Sequence, residues 1–167
     1  MHSSLCVGWS LLNALLNRVL EINPNERIIS IEDTKELNIS ATNYLSLLAN
    51  KDNSISDLLK SSLRLRPDRL VIGEIRGSEA LDLIDAFATG HKGGMSTLHA
   101  GNHQQALRRL SLLISRHPNA PNFIENTICD SLDYLVQIER TPKRHVTSIC
   151  KIQGFKNNEF IIKNMEI

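Results

Sequence analysis

Leu11, Leu12, Ala14, Leu15, Leu16, Val19 and Leu20 recur at helical spacing and stop at Asn23-Pro24-Asn25, which predicts an amphipathic helix followed by a turn. The next apolar stretch is of another kind. Arg27-Ile28-Ile29-Ser30-Ile31-Glu32 is β-branched and too short for a helix, so it reads as a buried strand ending in two acids, Glu32 and Asp33. Helical spacing returns over residues 54 to 64, with Ser54 or Ser56 as the cap, and Arg66-Pro67-Asp68 breaks it because the residue before a proline is pushed out of the α region. Leu70-Val71-Ile72-Gly73 is a second buried strand, and it delivers Glu74 at its end. Ala80, Leu81, Leu83, Ile84, Phe87 and Ala88 mark one face of a helix that begins near Glu79, where the macrodipole favours an acid, and closes at Gly90. Met95 to His99 is a third short strand, followed by helices near 103–115 and 121–132. Strands over Tyr134–Glu139, His145–Gln153 and Phe160–Lys163 finish the chain, the last two joined by a turn at Lys156-Asn157-Asn158. Strands and helices that alternate predict an α/β sheet with helices on both faces, closed by antiparallel strands.

At 167 residues the chain is one domain, or most of one, and at this size roughly 70% of the unfolded surface is buried without help from disulfides or structural metal. Its 19 basic and 18 acidic residues leave a net charge of +1, which argues against a general polyanion binder and against direct nucleic-acid binding. Cys6, Cys129 and Cys150 are far apart and never form CxxC, so they point to a reducing compartment and to no zinc site. No apolar run approaches the roughly 20 residues that span a bilayer. The first ten residues lack a basic region and a small-residue cleavage site, and the expected location is cytoplasmic.

Three successive predicted strands thus end in polar clusters: Glu32-Asp33, Glu74 with Arg76, and Thr97 with His99. In open α/β sheets ligands bind beyond the carboxyl ends of the strands, so these clusters converge on one crevice if the strands are neighbours. Thr97 and His99, two apart on a strand, face the same way. Singly, a Glu here is better explained as a solvated strand end and a His as a hydrogen-bonded core or surface residue. A metal-dependent hydrolase using His91, His99, Glu32, Asp33 and Glu74 is an alternative, but His91 and His99 lack the i, i+4 spacing of a helical zinc motif.

Taken together the clusters resemble a family. Ile31-Glu32-Asp33-Thr34-x-Glu36-Leu37 resembles the Asp box of the secretion-superfamily traffic ATPases, and Arg66-Pro67-Asp68-Arg69-Leu70-Val71-Ile72-Gly73-Glu74-Ile75-Arg76-Gly77-x-Glu79-Ala80 resembles their Walker B segment. Thr89-Gly90-His91-x-Gly93-Gly94-x-Ser96-Thr97-Leu98-His99-Ala100 resembles their His box, and order and spacing also agree. His99-Ala100-Gly101 followed by Ala106-Leu107-Arg108-Arg109-Leu110, and later Val136-Gln137-Ile138-Glu139-Arg140, most resemble the TrbB-type conjugal-transfer and type IV secretion ATPases. The resemblance covers residues 11 to about 155. It implies a RecA-like P-loop NTPase core that uses ATP and Mg²⁺. It also implies a homo-hexamer, or a hetero-oligomer with intact homologues, at the cytoplasmic face of the inner membrane beside the secretion or conjugation components. By the same resemblance Glu74 directs the attacking water, Glu32 and Glu74 hold Mg²⁺, and Asp33, Thr97, His99, Arg76 and Ser10 face the nucleotide. Arg64, Arg66, Arg76 and Arg140 are candidates for subunit-interface arginines.

The family's P-loop, GxxxxGK[ST], directly precedes the helix that matches Leu11-Leu12-Asn13-Ala14-Leu15-Leu16, and its amides and lysine hold the phosphates. Here that place is taken by Ser3-Ser4-Leu5-Cys6-Val7-Gly8-Trp9-Ser10, with one glycine and no lysine. Ser10 sits at or next to the hydroxyl position, and Trp9 is too bulky for a phosphate cradle. The expectation is therefore a non-family segment over residues 1–10 and a partial motor domain over 11–167 that lacks the P-loop, the strand before it and the N-terminal domain. Losing that strand would leave a gap in the sheet's centre. A truncated and hydrolysis-deficient motor subunit is the expected function, with a non-hydrolysing ring subunit or a decayed gene remnant as alternatives.

Overall fold

The computed structural model describes residues 8–91, 93–139 and 141–166, together with the main chain of residues 4–6. Thirteen elements follow in order: β1 (Ser4–Cys6), α1 (Trp9–Ile22), β2 (Ile28–Glu32), β3 (Tyr44–Leu48), α2 (Ile55–Leu63), β4 (Arg69–Ile72), α3 (Glu79–Ala88), β5 (Met95–Thr97), α4 (His103–Ser115), α5 (Ile124–Ser131), β6 (Tyr134–Glu139), β7 (His145–Lys156) and β8 (Glu159–Met165). The strands form one eight-stranded sheet in the order β3-β2-β4-β5-β1-β6-β7-β8. Every pairing from β3 to β6 is parallel, and β6–β7 and β7–β8 are antiparallel.

The alternation of side chains along the strands builds two cores. Ile29, Ile31, Leu70 and Ile72 point to one face, where α2, α3, α4 and α5 cover them with Leu59, Leu83, Phe87, Leu107, Leu110 and Ile128. Ile28, Val71 and Met95 point to the other, where α1 lays down Leu12, Leu16 and Leu20, joined by Leu37 and Ile39. Both faces being covered is why β2 and β4 read as continuous apolar runs. Local signals also act as expected. Ser54 is the cap of α2, in a capping box with Asp57. The β7–β8 turn places Asn157 and Asn158 both at positive φ, 53° and 63°.

One expectation is corrected. The sheet has no central gap, because β1 lies between β5 and β6, with Leu5 beside Ser96 on one side and Leu135 on the other. Three residues of main chain suffice, since both flanking strands offer parallel hydrogen-bonding edges regardless of side chain. Two strands are absent from the sequence reading, β1 and β3, and β5 ends at Thr97, two residues earlier than expected.

Gly94 shows how tightly the approach to β5 is packed. A Cβ there would overlap Cε1 and Cζ of Phe87, a residue 2% exposed on α3. Gly94→Ala is expected to cost about 1–3 kcal/mol through overpacking, read as a lower urea midpoint. An unchanged midpoint would show that Phe87 has room to turn.

Candidate functional site

The carboxyl ends of β2, β4 and β5 lie side by side, and beyond them opens a cleft of about 980 Å³. Its walls are the first turns of α1, with Gly8, Trp9, Ser10, Asn13 and Ala14; the β4 end, with Glu74 and Arg76; the β5 end, with Thr97, Leu98 and His99; and Arg144 and His145 at the start of β7.

Glu74 is the centre of the polar network. Its side chain is only 9% exposed, yet both oxygens have partners: Arg76 Nη2 lies 2.7 Å from Oε2 and His99 Nε2 lies 3.4 Å from Oε1. Arg76 also reaches Asp33 at 3.6 Å, so polar contacts join the ends of β2, β4 and β5. The hydrogen bond and charge of Glu74 push the Arg76 guanidinium above its ordinary value, which keeps it cationic at any working pH. Glu79 Oε1 accepts from the main-chain N–H groups of Arg76 and Gly77, both at 2.7 Å, and so fixes the turn that carries Arg76. Thr97 is buried and donates its hydroxyl to the Gly73 carbonyl at 2.6 Å, while Ile75 N–H donates to Thr97 O at 2.9 Å. Beyond β5 the strand alternation no longer applies, but Thr97 and His99 both line the cleft.

Glu32 is placed differently. It is 1% exposed and does not line the cleft, and its Oε1 accepts from Glu36 and Leu37 N–H, each at 2.9 Å. It shapes the loop after β2, while its Oε2 is buried without a partner. Ser10 does line the cleft, and its hydroxyl accepts from Arg144. Arg64 and Arg66 lie in the turn between α2 and β4, outside the cleft, and Arg140 lies outside the described residues.

Sequence reading missed Asn13 and Arg144. Asn13 Oδ1 accepts from Asn38 N–H at 2.9 Å and its Nδ2 donates to Trp9 O at 3.2 Å, so it ties the loop after β2 to the first turn of α1. It also missed a buried pair at the opposite end of the sheet. Arg69 and Glu26, 6% and 7% exposed, meet through Nε–Oε2 at 3.0 Å and Nη2–Oε1 at 3.2 Å, and Arg69 Nη1 donates to Gly93 O. One guanidinium thereby joins the chain just before β2, the start of β4 and the chain just before β5. The thiols of Cys129 and Cys150 are pushed up to about 11 by burial, which makes them inert at neutral pH.

The residues do not fit ATP with Mg²⁺. A triphosphate needs a run of free amides and a cation in the loop before the helix. Here only residues 7 and 8 separate β1 from α1. The Trp9 ring lies against Gly73 so closely that a Cβ on Gly73 would overlap Cη2 and Cζ3 of the indole. That side chain fills the space between the helix and the strand end that carries Glu74. The carboxylate side of the site is assembled and the phosphate side is not.

A parallel sheet with α1 on one face and four helices on the other, the crevice at its carboxyl edge and an acid at the end of β4 define a RecA-like P-loop NTPase fold. Within that class the chain belongs to the family described as Type II/IV secretion system protein, which matches residues 10–163. It is 37% identical over 152 residues to the conjugal transfer protein TrbB of Rhizobium radiobacter, covering 90% of this chain and 46% of the relative. It is 40% identical over 143 residues to the type IV secretion system protein PtlH of Bordetella pertussis, covering 78% and 41%. Among solved structures it superposes on the VirB11 ATPase of the Brucella suis type IV secretion system, in complex with sulphate, with a TM-score of 0.82 at 27% identity, over 90% of this chain and 48% of that one. The chain thus spans about half the length of the relatives it matches. Among the described residues no helix is long and apolar enough to cross a membrane.

Proposed function

We propose that the chain is a motor-type subunit of a conjugal-transfer or type IV secretion machine, in a form that does not hydrolyse ATP. It acts at the cytoplasmic face of the inner membrane, within a ring that is a homo-hexamer or is shared with intact homologues. The observation that carries this reading is Trp9, lying on Gly73 where the family places a phosphate loop. Residues 1–10 are on this reading a non-family segment, and 11–167 a partial motor domain. The rest of the site keeps its design. A carboxylate at the end of β4, held by Arg76 and His99, is suited to orienting a water and accepting its proton, a role general-base catalysis asks of a carboxylate. Asp33 and Arg76 extend that network to β2, and Thr97 ties the β4 end to β5. Family homologues that carry a P-loop would supply the ATP and Mg²⁺ chemistry in a shared ring.

Titration with a fluorescent ATP analogue, paired with a phosphate-release assay, tests it. Binding weaker than about 1 mM, roughly −4 kcal/mol, and no magnesium-dependent turnover are expected. Micromolar affinity with turnover that Glu74→Gln abolishes would overturn it.

A further inference from the structure

From Ala86 to Ile124 the sequence holds no acidic residue, although the whole chain sets 18 acidic residues against 19 basic ones. α4 lies inside that stretch and carries Arg108 and Arg109, with Arg116 following its last turn. Arg108, Leu112 and Arg116 succeed one another at i, i+4 and i+8, and Arg109 stands three residues before Leu112, so three arginines frame one leucine on a single helix face. That face is turned outward. The other one buries Leu107, Leu110 and Ile114 in the core, whereas all three arginines are exposed and Leu112 is 53% exposed. Among the described residues none of the three arginines has an ion-pair partner. At the head of α5, the helix packed beside α4, Phe123 is 73% exposed, the highest value of any large apolar residue described.

We propose that this face of α4 docks a carboxylate-bearing surface of a second protein, one other than a copy of this chain. An apolar centre framed by arginine is the composition of a protein interface, where arginine is enriched and lysine depleted, and α4 carries no lysine at all. Each guanidinium offers a planar fork that a carboxylate meets with two hydrogen bonds, while the leucine supplies apolar area to be covered. A nucleic-acid backbone matches the charge but leaves the leucine without a counterpart, and an anionic lipid surface takes lysine as readily as arginine. A second copy of the chain is a poor match, because much of its exposed acid is engaged at home: Glu21 by Arg18, Asp33 by Arg76, Asp57 by Ser54 and Asp68 by the main chain of Arg27. None of these α4 residues lines the cleft, so the docking is separate from whatever the cleft does with nucleotide.

Photocrosslinking in the cells that make the chain provides the test, with p-benzoylphenylalanine in place of Leu112 in the full chain and mass spectrometry of the linked peptide. The expected adduct is to a different protein, through a segment that carries Asp or Glu. Arg108→Glu with Arg109→Glu should lower its yield at least about tenfold, and reversing the carboxylates of the linked segment should restore it. Far-UV circular dichroism checks that the variant folds, and Arg108→Gln with Arg109→Gln makes the same test should the reversal not fold. No protein adduct, an adduct within the chain or to another copy of it, a linked segment without acids, or a yield unmoved by the arginine changes would each overturn the proposal. So would binding of the purified chain to phosphatidylglycerol vesicles or to single-stranded DNA that the same two arginine changes abolish, which would assign the face to lipid or to nucleic acid.

Discussion

Replacing Val7-Gly8-Trp9-Ser10 by a GxxxxGK[ST] loop is expected to give a chain that binds ATP with micromolar affinity and hydrolyses it with magnesium. The change removes the indole from Gly73 and adds the amides and lysine that a triphosphate requires, while β1, already between β5 and β6, anchors the new loop at its start. Glu74→Gln in that chain should keep the affinity and cut turnover at least about a hundredfold, because the shape of the side chain survives and its basicity does not. Nucleotide titration and phosphate release read both effects. Turnover indifferent to Glu74→Gln would reduce Glu74 to an ion-pair partner of Arg76. If the grafted chain folds yet binds no nucleotide, the Trp9 ring on Gly73 is not what keeps nucleotide out of the cleft.

Arg69→Met should cost about 3–5 kcal/mol, the largest effect on stability expected of a single substitution here. It strands the Glu26 carboxylate at 7% exposure and leaves the Gly93 carbonyl without its donor. Part of the loss is expected to return when Glu26→Met is added, because an apolar pair of similar volume needs no partner charge. Urea unfolding of the two variants and the wild type measures this. A loss below about 1 kcal/mol for Arg69→Met would mean that water reaches Glu26 once the guanidinium is gone. The pair sits at the amino ends of the strands whose carboxyl ends carry Glu32, Glu74 and Thr97. The same experiment therefore asks how firmly the register of the site depends on its far end.

The elements read most directly from sequence were those whose environment is written into their own residues. β2 and β4 are covered on both faces and so must be apolar at every position, and α1, α3 and α4 each bury one stripe at helical spacing. β3 escaped because it is a half-buried edge strand, where neither alternation nor a continuous run is enforced. β1 escaped because its three residues are strand only by virtue of the neighbours on either side. The site divides in the same way. Glu74, Arg76, Asp33, Thr97 and His99 stand at strand ends within short motifs; the cleft brings Glu74, Arg76, Thr97 and His99 together, and Asp33 is tied to them through Arg76. Glu32 belonged to the same motif reading, but folding buried it behind the cleft, against the amides of its own loop.

By itself, then, the sequence determined the alternating α/β order, the apolar faces and the acidic and histidine clusters, since each depends on residues a few positions apart. It also determined that residues 1–8 carry no lysine. Only the tertiary structure decided where Trp9 lies, how Arg144 reaches Ser10 across 134 residues, that Asn13 holds Asn38 across 25, and that Arg69 and Glu26 meet across 43. Such pairs leave no periodic trace in a chain. They form because the sheet order brings distant strand ends together, and because a buried polar group left without a partner costs more than the ordering needed to give it one.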